Sequence, residues 1–146
     1  MDRKTIVQTI SIEIERTRKR LLELARDKRD GEGPKTSWHD TTHLDVERAI
    51  EDAERHLARC LRVLASVRNH ESSMVINDGS LANLSIDGEK RDYVIVERED
   101  GGAIGNVLVL SSQSPIGGAI WSKSRGKQVA VRTLSGLIRV KILEVS

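Results

Sequence analysis

The chain has 146 residues and 16.3 kDa, room for one compact domain or two small units. Its 24 basic and 22 acidic residues leave a formal charge of +2, too small to imply a polyanion partner. The absence of Phe, with two Trp and one Tyr, excludes the aromatic platforms on which RNA-recognition and single-strand-binding modules stack bases. One cysteine rules out a disulfide framework and a cysteine-built zinc site, and predicts a reducing compartment. No apolar run approaches the ~18 residues that span a bilayer, and no signal-peptide core follows Met1. A soluble, cytoplasmic protein without membrane contact is expected.

In chain order, Ile6, Ile10, Ile14, Leu21 and Leu24 recur at helical spacing, with Thr17 in the gap, and predict a first helix. A breaker-rich stretch follows, containing Gly31, Gly33 and Pro34, and predicts a loop over about 29–42. Thr41 and Thr42 are candidate N-caps, with Asp45 three residues after Thr42. Val46, Ile50, Ala53, Leu57, Cys60, Leu64 and Val67 then alternate steps of four and three, the seam of a coiled coil. Two helices of about 26 residues, each about 39 Å long, pair most simply as an antiparallel hairpin over residues 1–71.

The composition changes near residues 69–74, after which nine of the glycines and most β-branched runs occur. Strand-like runs at 74–77, 81–86, 92–98, 103–110, 128–133 and 137–145 are punctuated by Gly-containing pairs, Asp87-Gly88 among them. Ser114-Pro115 opens a short helical segment with Ser as N-cap and Pro at the first helical position. The class is α+β: the hairpin, then a sheet of five or six strands with one short helix over 72–146.

Several patterns have bland explanations. His39 and His43 have the spacing of a zinc-binding helix, but Asp40 stands beside His39 in place of the general-base Glu, and no third ligand follows. The Gly101–Gly105 run lacks the Lys-Ser/Thr of a phosphate loop. Arg16, Arg18, Lys19, Arg20, Arg26, Lys28 and Arg29 read as a solvated face balanced by Glu13, Glu15 and Glu23. Asp27, Asp30, Glu32, Asp40, Asp45 and Glu47 gather about the far end of the hairpin. They serve either as helix-dipole complements or as oxygen ligands that hold Mg²⁺ in a larger assembly. Cys60 lies on the seam and reads as a small packed hydrophobe.

The most specific stretch is Ser111-Ser-Gln-Ser-Pro-Ile-Gly-Gly-Ala-Ile120, followed by the runs from Gly126 to Thr133 and from Leu137 to Val145. It resembles the C-terminal half of the Gre family of bacterial transcript-cleavage factors, in which a Ser-x-x-Ser-Pro turn precedes a short helix and two final strands. The resemblance implies a coiled-coil hairpin that enters the secondary channel of RNA polymerase. It also implies an FKBP-like antiparallel sheet that grips the channel rim, with Ser112, Ser114, Pro115 and Ile116 matching the docking turn. Cleavage-active members share a Gly-Asp-Leu-x-Glu-Asn signature whose acids hold a catalytic metal. This chain has Trp38-His-Asp-Thr-Thr-His-Leu-Asp45 there, with His43 at the Glu position. The departure points to a non-cleaving member, such as the nucleoside diphosphate kinase regulators or the inhibitory Gre homologues.

The expectation is therefore a monomeric polymerase-binding regulator of elongation, not itself an enzyme, with neither catalytic residues nor a resident metal. Asp30, Glu32, Asp40 and Asp45 mark the hairpin tip. No cofactor is expected beyond Mg²⁺ at the tip in complex with polymerase, and nucleic acid is met only within the transcription complex. The alternatives are a true cleavage factor using tip carboxylates, a peptidyl-prolyl isomerase built around Tyr93 and Trp121, and a coiled-coil module with an unrelated partner.

Overall fold

The computed structural model describes the backbone of residues 1–30 and 37–146 and the side chains of residues 1–29 and 44–146. Helix α1 runs Arg3–Asp30 and α2 runs Ser37–Arg68. Asp2 caps the start of α1: its Oδ1 accepts from the Thr5 N–H at 2.7 Å, and hydrogen bonding to the Thr5 side chain, followed by that to its N–H, holds the Asp2 carboxyl below the usual carboxylate range. Helix α2 opens at Ser37, four residues before Thr41, so Thr41 and Thr42 lie inside it and are not its caps. Of the stretch 29–42 predicted as a loop, residues 29–30 and 37–42 are helical, and 31–36 lie outside the described residues.

The helices are antiparallel. Contacts that pair Arg3 with Val67, Glu13 with His56 and Lys28 with Glu47 run in opposite directions along the two chains. Thr17 fills its gap in the apolar stripe by donating its hydroxyl to the Glu13 carbonyl at 2.8 Å, so a buried polar side chain is left satisfied.

Six strands follow: β1 Leu81–Ile86, β2 Glu89–Val96, β3 Gly102–Ile104, β4 Val107–Ser111, β5 Gln128–Thr133 and β6 Gly136–Val145. The short helix α3, Pro115–Ile120, lies between β4 and β5, with Ser114 as its N-cap as the sequence predicted. The sheet order is β3-β4-β2-β1-β6-β5. The sheet is mixed, which corrects the wholly antiparallel expectation: β2 and β4 run parallel, Tyr93 opposite Leu108 and Val96 opposite Ser111. The cause is local. The run predicted as one strand over 103–110 is two, because Gly105 takes φ +58 and turns the chain between β3 and β4. The run at 74–77 forms no strand, only a single bridge between Val75 and Ser124.

The two sheet faces bury separate cores. One packs Val94, Val96, Ile104, Val107 and Val109 against Ile6, Ile10 and Ile14 of α1 and Cys60, Val63 and Val67 of α2. The other packs Ala82, Leu84, Ile95, Val131, Val140 and Ile142 with Ile76 and with Ile120 of α3. Strand alternation assigns successive residues of β2 to opposite cores. The base of the hairpin is thus part of the sheet's own core. Polar clamps reinforce it. The Arg3 guanidinium donates to the carbonyls of Val67 and Gly79, each at 2.9 Å, and of Ser146 at 3.1 Å. Arg59 donates to the carbonyls of Asp100 and Gly102, and Arg62 pairs with Glu99. Gly79 has no room for a side chain, since a Cβ there would lie 2.0 Å from the Ser66 carbonyl oxygen. None of the helices among the described residues is long and apolar enough to cross a membrane.

Candidate functional site

The turn from Ser111 to Ile116 sits where β4 ends beside the end of β2. Its backbone hangs from β2, because the Ser112 N–H donates to the Val96 carbonyl at 2.8 Å. Val96 is fully buried in the helix-facing core, so one residue ties the turn to the hairpin base. Inside the turn every serine is used. The Ser111 hydroxyl accepts from the Gln113 N–H at 3.1 Å, and the Ser112 hydroxyl accepts from the Arg98 N–H at 3.2 Å. Ser114 donates its hydroxyl to the Ser111 carbonyl at 2.8 Å and accepts from the Gly117 N–H at 3.0 Å. The turn is preorganised, and the Ser114 hydroxyl is consumed within it.

Pro115 is exposed at the first position of α3, whereas Ile116 is half-buried against the second core. The four sequence-predicted residues Ser112, Ser114, Pro115 and Ile116 are therefore contiguous, but they divide the labour: Pro115 faces outward, and Ile116 also anchors α3. Two residues here escaped sequence reasoning. Gly117 is obligatory, since a Cβ on it would lie 1.8 Å from the Ser111 carbonyl oxygen. Arg98 holds φ +59, a conformation costly for a non-glycine residue, while its N–H engages Ser112. No sequence signal identifies Arg98; the Gly117-Gly118 pair is the visible trace of the tight packing.

At the far end of the hairpin, Asp45 is exposed on α2. The side chains of Asp30 and Asp40, and Glu32 altogether, lie outside the described residues, as do the side chains of His39 and His43. Asp40 and Asp45 are both within α2, and a five-residue spacing does not put two residues on one helical face. Among the described residues no group of three or more His, Cys, Asp or Glu side chains could hold a metal ion. On the basic side of α1, Arg16 pairs with Glu13 at 3.2 Å and Arg18 with Glu15 at 2.7 Å. Lys28 reaches Glu47 at 3.6 Å.

Midway along the hairpin the structure brings together a Cys–His–Glu set that the sequence did not suggest. His56 Nε2 lies 3.0 Å from Glu13 Oε1 and 3.6 Å from Cys60 Sγ. A nucleophilic triad needs the carboxylate and the thiol on opposite ring nitrogens. Here both address Nε2, so no relay exists. Burial, followed by the nearby Glu13 charge, pushes the Cys60 thiol up, keeping it protonated and unreactive. The set is a helix–helix brace. Tyr93 and Trp121 are half-buried against the second core, and the cavity beside Tyr93 is lined by Met1, Leu81, Asp92 and Glu144 without Trp121.

The family described as "Transcription elongation factor, GreA/GreB, C-term" matches residues 72–146. No curated protein sequence matches the chain. Among solved structures, the transcription factor Gfh1 is 19% identical, with 95% of this chain and 92% of that one covered and a TM-score of 0.43. The GreA factor homolog 1 (Gfh1) of Thermus thermophilus is 18% identical, covering 96% and 94%, at 0.42. The prokaryotic transcription elongation factor GreA/GreB from Nitrosomonas europaea is 20% identical, covering 60% of this chain and 78% of that one, at 0.40.

Proposed function

This chain belongs to the GreA/GreB family of transcription elongation factors that act on RNA polymerase, and from that premise we propose that it docks on the rim of the polymerase secondary channel and extends its hairpin inward without stimulating RNA cleavage. The observation that carries the reading is the mechanical link through Val96. The rim-binding turn hangs from the end of β2, and the base of the hairpin packs on the same strand through Val96, so docking the turn fixes the direction of the arm. Helix α1 extends 16 residues past the last sheet-facing apolar residue, Ile14, to its end at Asp30, giving a reach of about 24 Å beyond the base.

The non-cleaving part rests on the residues at the far end. Cleavage requires at least two carboxylates converging on one Mg²⁺, whose octahedral shell demands oxygen ligands at about 2.0–2.1 Å. The spacing of Asp40 and Asp45 does not supply that pair, and the imidazole of His43 is a poor substitute for a carboxylate on a hard cation. The chain is then a regulator that occupies the channel, acts in the cytoplasm as a monomer, and competes with cleavage factors for the rim.

The test is a pair of measurements on purified core polymerase: affinity, and RNA cleavage in backtracked elongation complexes. The native chain is expected to bind, to leave backtracked RNA uncut and to displace an authentic cleavage factor. Pro115→Asp, which charges the outward residue of the turn but keeps a good first-turn residue for α3, should weaken binding about tenfold or more. Robust cleavage lost on Asp40→Ala would overturn the non-cleaving reading, and native affinity in Pro115→Asp would overturn the assigned docking turn.

A further inference from the structure

The β5–β6 hairpin carries a surface that the reading above leaves unused. Leu134, at its turn, is the most exposed large apolar residue of the described chain at 110%, and Leu137, at the start of β6, is 65% exposed. The register places cations around them. Arg132 of β5 lies directly opposite Leu137, while Arg139 and Lys141 follow Leu137 on β6 at two-residue steps, so all four share one face. Lys90 joins the same face, because Ser85 of β1 pairs with Lys90 on one side and Lys141 on the other. All four cations are exposed, and none of their side chains has an ion pair or hydrogen bond among the described residues. The hairpin lies at the opposite end of the strands from the Ser111–Ile116 turn. Val96 pairs with Ser111 at that end, whereas Ile86 pairs with Val140 at this one, and β6 runs four residues further to Gly136.

We infer that the β5–β6 end of the sheet is a second protein-docking surface, fitted to an acidic face that offers an apolar pocket, and, resting on the reading that this chain binds RNA polymerase, that this face belongs to the polymerase. The chemistry selects the occupant. Two leucines held in water need an apolar counterpart, which a nucleic-acid backbone does not provide. A second copy of the chain, packed about a two-fold axis, would set Arg132, Arg139 and Lys141 against their own images, and the Asp87 carboxylate beside Arg139 is too little to neutralise them. An acidic protein surface satisfies both requirements, with leucines as buried anchors and cations as the rim that steers approach.

The experiment titrates the full-length, fluorescently labelled chain with core RNA polymerase. It compares the native protein with Leu134→Asp/Leu137→Asp, Arg132→Glu/Arg139→Glu and Pro115→Asp, each checked for an unchanged melting temperature. The leucine variant is expected to lose at least about tenfold in affinity, as truncated or charged anchors do. The charge-reversal variant is expected to weaken binding and to flatten its dependence on salt between low and physiological ionic strength. Native affinity and native salt dependence in both variants, with Pro115→Asp impaired, would overturn the second surface while leaving the function intact. No binding by the native chain would overturn the polymerase reading itself, and with it this assignment. Three further outcomes would also overturn the inference: leucine-dependent dimerisation in sedimentation, leucine-dependent binding to anionic phospholipid vesicles, or binding to duplex DNA lost in the charge variant, each with polymerase affinity unchanged.

Discussion

The base and the far half of the hairpin are written in the same heptad alphabet yet are held by different physics. At the base, Ile6, Ile10 and Ile14 of α1 and Cys60, Val63 and Val67 of α2 are buried between each other and the sheet. Beyond them, Leu24 is the one buried apolar residue of α1, while Val46, Ile50 and Ala53 of α2 are only partly covered. A helix that meets one neighbour covers one stripe; a helix wedged against a neighbour and a sheet covers two. The base is therefore the anchor, and the far half is an arm whose straightness depends on that anchor and on helix continuity.

That contrast can be broken at its strong end first. Ile10→Ala empties a fully buried position where helix and sheet meet, and should cost about 3 kcal/mol. Because the core is shared, urea unfolding monitored by helix and sheet signals should shift as one transition. Separate transitions would mean that the halves fold independently. Arg3→Ala comes next, at about 2 kcal/mol, since it strips a charged donor from the carbonyls of Val67 and Gly79. Chemical denaturation reports the loss, and an unchanged midpoint would show the clamp to be decorative.

Leu24→Ala, in the arm, should cost only about 1–2 kcal/mol because its site can collapse toward solvent. Its signature is regional: amide exchange should accelerate along the outer turns of α1 and leave the sheet protected. Equal acceleration in both regions would contradict the division. The smallest effect is in pH. Burial raises the Cys60 thiol pKa in the folded chain, so the unfolded chain loses that proton first and stability declines as pH rises past the ordinary thiol range. Cys60→Ala should flatten this alkaline decline in thermal melts, and an unchanged slope would remove Cys60 as its source.

The stripe Ile6–Leu24, the seam Val46–Val67 and the Ser-x-x-Ser-Pro turn were legible because each is local: side chains at helical spacing must share a face, and Ser followed by Pro suits a helix start whatever surrounds it. The same locality identified the family-bearing turn. It did not reveal that Ile116 doubles as a core residue, that Ser114 spends its hydroxyl internally, or that Arg98 adopts a left-handed backbone beside them. Those are consequences of which strand lies next to which. The parallel pairing of β2 with β4 depends on a turn at Gly105 that a periodicity of two cannot see, and the joining of hairpin base to sheet depends on Val94 and Val96 facing the helices rather than α3. Composition and spacing settled the two long helices, the short one and most of the strands. Only the tertiary fold decided the sheet's register and the coupling of turn to arm, because these arise from contacts between residues far apart in the chain, which no local pattern encodes.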